Sequence, residues 1–127
     1  MREVVSTDKA PAALGAYSQA IKASGNFVFT AGQIPLIPGT DEMRNDNIQE
    51  AAEQALKNLK AVLEEAGSGM EHVVKTTVFL ADISEFVDMN AVYTSFFPQN
   101  PPARSALQVA ELPKGARIEI EAVALIP

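Results

Sequence analysis

Arg104 stands in the stretch "PPARSAL", at the head of an apolar, short-chained run that reads as a strand. Its guanidinium is a planar fork of donors that keeps its charge at any working pH, so it can grip a small carboxylate through two parallel hydrogen bonds. Pro101 and Pro102 fix the approach of the chain, and period-two counting puts Ala106 and Gln108 on the arginine's side, leaving space beside it. Further on, Glu119 and Glu121 alternate with Ile118 and Ile120 in a second strand. If the two strands pair as a hairpin, Glu119 comes beside Arg104, where a carboxylate can orient or deprotonate a water. The competing reading makes Arg104 a rim residue with a packed stem, and Glu119 a partner of Arg117 or Lys114.

Tyr17 and Asn90 are polar groups in apolar settings, each able to donate a hydrogen bond to a ligand or to serve the core. Gly32, in "FTAGQIP", either lets a backbone approach a ligand closely or ends a strand. His72 reads as packing or capping at a helix-to-strand junction. It is the sole histidine and the chain has no cysteine, which excludes thiolate or multi-histidine metal sites, disulfides and thiol nucleophiles.

At 127 residues the chain suits one domain, 1–127, with a single core. A net charge of −6 repels polyanions and argues against nucleic acid as a partner. No segment has the apolar length of a membrane span, and the start lacks a secretion leader, so the reading is a soluble, cytoplasmic protein.

The elements that must position these groups follow from periodicity. "YSQAIKASGNFVFTAGQ" reads as a hairpin around Gly25 and Asn26, and "IPLIPGTDEMRND" as a surface loop. Ile48, Ala51, Ala52, Ala55, Leu56, Leu59, Val62, Leu63 and Ala66 mark an amphipathic helix, with Asn47 and Glu50 at its start and Gly67 past its end. "HVVKTTVFL" is a central strand with Val74, Thr76, Val78 and Leu80 on one face. A second helix opens at Asp82 and Glu85, carries Phe86, Met89, Tyr93, Phe96 and Phe97 as its stripe, and stops at Pro98. Two final strands give the order ββαβαββ, a two-layer α+β domain. Its second sheet face would expose more apolar area than a soluble monomer tolerates, and a closed ring of copies with sheets turned inward would bury it.

The blocks "GAYSQA", "TAGQIP" and "PPARSALQVAELPKGARIEIEA" resemble the RidA family, also called YjgF/YER057c/UK114. The resemblance spans nearly the whole chain. It implies a chorismate-mutase-like, ferredoxin-like two-layer fold, a homotrimer with sites between subunits, and hydrolysis of 2-imino acids such as 2-iminobutanoate and 2-iminopropanoate to 2-oxo acids and ammonia, without a cofactor. It assigns Arg104 to the substrate carboxylate, Glu119 to the hydrolytic water, and Tyr17, Gly32, Asn90 and Ala106 to substrate binding, with Tyr17 coming from the neighbouring subunit. Ala106 and Ala31 stand where many members have cysteine and serine, and Ala16 where proline is frequent.

Three rival readings use the same residues. A sensor of small carboxylates would bind at Arg104 without turnover. A ribonuclease or translation inhibitor would want a basic groove. A chorismate mutase would need a second cation, for which Arg117 is the candidate.

Overall fold

The computed structural model describes residues 1–127. They run as β1 (Arg2–Val5), β2 (Ala20–Ala23), β3 (Asn26–Phe29), α1 (Ile48–Glu65), β4 (Val73–Leu80), α2 (Phe86–Phe96), β5 (Ala103–Gln108) and β6 (Ile118–Ile126). The order is therefore βββαβαββ, one strand more than the pattern indicates. Arg2–Val5 is the added strand, and it forms an antiparallel ladder with β2. Arg2 ties it down by donating to the carbonyls of Val73 and Asn100.

That ladder overturns the expected β2–β3 hairpin. Gly25 does turn the chain, at φ +128, but β1 takes the edge of β2 while β3 pairs with β6 in a different sheet. The larger sheet has the order β3-β6-β4-β5 and is mixed: β6 is antiparallel to both β3 and β4, whereas β4 and β5 run parallel, joined by α2. The final two strands are accordingly no hairpin either, because β4 lies between them.

The α1 boundaries match their sequence signals. Asn47 accepts the Glu50 N–H at 2.9 Å, which satisfies one donor left over at a helix start. At the other end the N–H groups of Gly67 and Ser68 close back onto the Glu64 and Leu63 carbonyls, with Gly67 at φ +83. Leu56, Leu59 and Leu63 are fully buried, each worth about 1.5–3 kcal/mol of hydrophobic stabilisation. Val62 departs from the stripe: it borders a surface hollow with Leu36 and Pro38, and Ala66 serves as the exposed C-cap.

Both helices cover one face of the larger sheet. Thr76, Val78 and Leu80 of β4 and Ile118, Ile120, Ala122 and Ala124 of β6 are buried beneath them. Val73, rather than the expected Val74, joins this set, because a register shift between Val73 and Lys75 breaks the alternation. The opposite face carries Phe27, Phe29, Phe79, Leu107, Glu119, Glu121 and Val123, placed there by register. Phe29 is 73% exposed and Leu107 41%. This is the apolar surface expected from the pattern. No helix is long and apolar enough to cross a membrane.

Candidate active site

Arg104 lies on the helix-covered face, beside Thr76 in the parallel β4–β5 ladder. The second helix supplies its surroundings. Its Nη1 donates to Asn90 Oδ1 at 2.6 Å, and its Cζ stands 4.6 Å from the centroid of Tyr93, 5.3 Å from that of Phe86 and 5.4 Å from that of Tyr17. Three rings thus hold the cation through their faces. No acidic side chain pairs with it. Burial lowers its pKa by desolvation, because the half-buried guanidinium gives up part of its hydration without an anion in return.

The ring beneath it is fixed from below. Tyr93 is fully buried, and its hydroxyl meets the Thr76 hydroxyl at 2.8 Å. Desolvation pushes its pKa up to about 12. Asn90 and Tyr93 are close enough along α2 to flank one guanidinium. Neither Tyr93 nor Phe86 figures among the site residues read from the sequence; a tyrosine in an apolar stripe, whose hydroxyl needs a partner, was the available signal.

Tyr17 reaches Arg104 within the same chain, its ring centroid 5.4 Å from the guanidinium carbon. The two prolines make this possible: their carbonyls accept from the Ser18 N–H and hydroxyl, tying the 15–18 turn to the approach of β5. Ala106 follows on the same face, half-buried against the core. Gln108 is taken by the Ile83 N–H at 2.9 Å.

Glu119 is elsewhere. On β6 it stands opposite Phe79, so it projects from the helix-free face, away from Arg104. Its neighbour is Gly32: a Cβ at position 32 would lie 1.9 Å from Glu119 Oε2. The chain between Thr30 and Gln33 explains the fit. Thr30 donates to Ala122, and Gln33 exchanges hydrogen bonds with Ile120 at 2.8 and 3.0 Å, so Ala31 and Gly32 together oppose Glu121, a bulge of one residue. Asn58 of α1 secures the following loop by donating to the carbonyls of Ile34 and Leu36. No cation pairs with Glu119.

Arg117 is consumed structurally. It donates to the Asn45 carbonyl and to Glu85 Oε2, each at 2.9 Å. It is therefore neither the partner considered for Glu119 nor a free second cation.

Taken together, the molecule is a two-layer α+β protein with a desolvated arginine cage on one sheet face and a free carboxylate, seated on a glycine, on the other. A model of the endoribonuclease L-PSP family matches residues 7–126, and the chain belongs to this family, the RidA family its C-terminal block resembles. A rat protein named 2-iminobutanoate/2-iminopropanoate deaminase is 50% identical, over 98% of this chain and 90% of its own. Among solved structures, the Escherichia coli YjgF gene product is 43% identical with a TM-score of 0.76, covering 98% of this chain and 99% of that one. Escherichia coli TdcF with bound serine is 40% identical with a TM-score of 0.75, over 97% and 98%.

Proposed function

We propose that the protein hydrolyses reactive 2-imino acids, such as 2-iminobutanoate and 2-iminopropanoate, to 2-oxo acids and ammonia, as a homotrimer with its sites between subunits. The observation that carries this reading is the Arg104 guanidinium, desolvated, caged by aromatic rings and unpaired by any acid. Its missing partner is the substrate carboxylate. The rat deaminase makes the imine the natural choice among small carboxylates, and the serine bound to TdcF is itself a small acid substituted at C2.

The chemistry asks little of the protein. A protonated imine is already electrophilic, so it needs aim, a water and a base. Arg104 holds the carboxylate and Asn90 buttresses the guanidinium. Glu119 takes a proton as water adds to C2, and the C=N bond becomes C–N. It returns that proton to the nitrogen; the C–N bond then breaks as the carbinol hydroxyl gives its own proton to Glu119 and becomes the C=O, so ammonia leaves, taking up that proton as ammonium, with the 2-oxo acid behind. Ala106 contributes its backbone, as the resemblance implies, and Tyr17 and Gly32 line the space.

Glu119 and Arg104 face opposite ways in one chain, so the reading requires a neighbouring copy to bring the second half. The exposed Phe29 and Leu107 on the Glu119 face supply the apolar surface for that assembly. The same separation favours one alternative: a protomer whose Arg104 half binds a small carboxylate without turnover, a sensor. An endoribonuclease role, the other activity the family's name suggests, is opposed by the net charge of −6.

The decisive experiment generates imines in situ with a pyridoxal-phosphate dehydratase or an amino-acid oxidase and traps them with semicarbazide. The protein should lower the trapped fraction. No effect across several imines would leave only the sensor reading.

A further inference from the structure

Gly15 sits at the mouth of the Arg104 cage without a backbone reason to be glycine. The positive-φ glycines are Gly25, Gly39, Gly67 and Gly115, so the conformation at position 15 is open to other residues. Its surroundings are more informative. A Cβ there would stand 3.9 Å from Arg104 Nη2, 3.9 Å from Asn90 Nδ2 and 3.9 Å from Tyr17 Cδ1 at once. These are ordinary contact distances, so one methyl fits. Each further carbon would cover the guanidinium and the amide beside it.

We propose that Gly15 is a specificity-determining residue: the space left by its missing side chain receives the C2 substituent of the bound acid. The inference rests on the reading that the substrate carboxylate sits on Arg104. A carboxylate meeting Nη2 leaves C2 one bond away and its substituent two, within the volume that a side chain at position 15 would fill. The residue at 15 then discriminates by bulk, while Arg104 holds the carboxylate common to all.

The test uses two stable 2-oxo acids, 2-oxobutanoate and the branched 4-methyl-2-oxopentanoate, titrated calorimetrically into the wild type and into Gly15→Ala and Gly15→Val. Occlusion of a methylene-sized space changes selectivity by roughly 10–200-fold. The affinity ratio of branched to short acid should therefore fall at least about tenfold in Gly15→Val, and less in Gly15→Ala. An unchanged ratio in both variants overturns the inference even where the wild type binds both acids. If Gly15→Val does not fold, Gly15→Ala decides by the same ratio, since a single methyl is accommodated. A wild type that binds neither acid overturns the carboxylate assignment of Arg104, and this inference with it.

Discussion

Arg104 and Glu119 leave opposite faces of the same sheet. Arg104 stands beside Thr76 on one side of β4, and Glu119 beside Phe79 on the other. The two are thus separated by roughly 10 Å along the strand and roughly 9.5 Å across it, before their divergence is counted. No small imino acid spans that distance through a packed sheet.

If both act on one substrate, they come from different copies, and variants lacking either should complement. In the proposed trimer, chains carrying Arg104→Ala and chains carrying Glu119→Gln, each strongly impaired alone, should mix so that about one site in four has both groups intact, given random assembly. Deaminase assays on the co-expressed mixture should recover roughly that fraction of wild-type activity. A mixture as dead as its components would mean that Arg104 and Glu119 do not act together on one substrate.

Arg104→Lys keeps the charge but replaces a planar, two-pronged donor with a point charge on a flexible stem. Losing one charge-assisted hydrogen bond costs about 1.5–3 kcal/mol, so kcat/KM should fall by one to two powers of ten at least. Arg104→Ala should fall further. Sedimentation should show the same assembly for both, because the cage is held by Tyr93 and Asn90 rather than by the arginine; a variant that dissociates would make Arg104 structural.

The helices were legible in the sequence because their signals are local: Asn47 caps, Gly67 terminates, and the stripe between them repeats every turn. Arg104, Tyr17 and Asn90 could be singled out, and the structure brings those three together. Strand partners were not legible. Whether β5 lies beside β6 or β4 depends on a crossover that no residue of β5 records, and Glu119 was accordingly expected next to Arg104 rather than on the far face. The Glu119–Gly32 contact escaped for the same reason: it depends on a bulge opposite Glu121, which is a property of pairing.

Gly32→Ala tests that contact. Its Cβ would fall on the Glu119 carboxylate, 1.9 Å from Oε2 and 2.7 Å from Cδ, so the side chain must swing off its seat. The expected result is a lower kcat with binding of 2-oxobutanoate retained, the same pattern as Glu119→Gln, because both leave the carboxylate cage untouched. Adding Gly32→Ala to Glu119→Gln should cost little more than either alone. Fully additive losses in a double-mutant cycle would mean that Gly32 acts independently of Glu119.

Tyr93 gives a prediction in pH. Its phenol lies at about 12 in the folded chain against an ordinary 10.0, chiefly through burial. Below pH 10 both folded and unfolded states keep the proton, and the contribution is complete. Between pH 10 and 12 the unfolded chain releases it while the folded chain does not, so the unfolded state binds fewer protons and stability falls as pH rises. Two pKa units set an upper limit of about 3 kcal/mol. Tyr93→Phe removes this titration and strands the Thr76 hydroxyl, for a loss of about 1–3 kcal/mol at neutral pH. Urea unfolding should therefore find the wild type more stable at pH 9, with the gap closing towards pH 12. A gap constant across that range would show that the phenol titrates alike in both states, and that Tyr93 is not the desolvated platform on which the guanidinium rests.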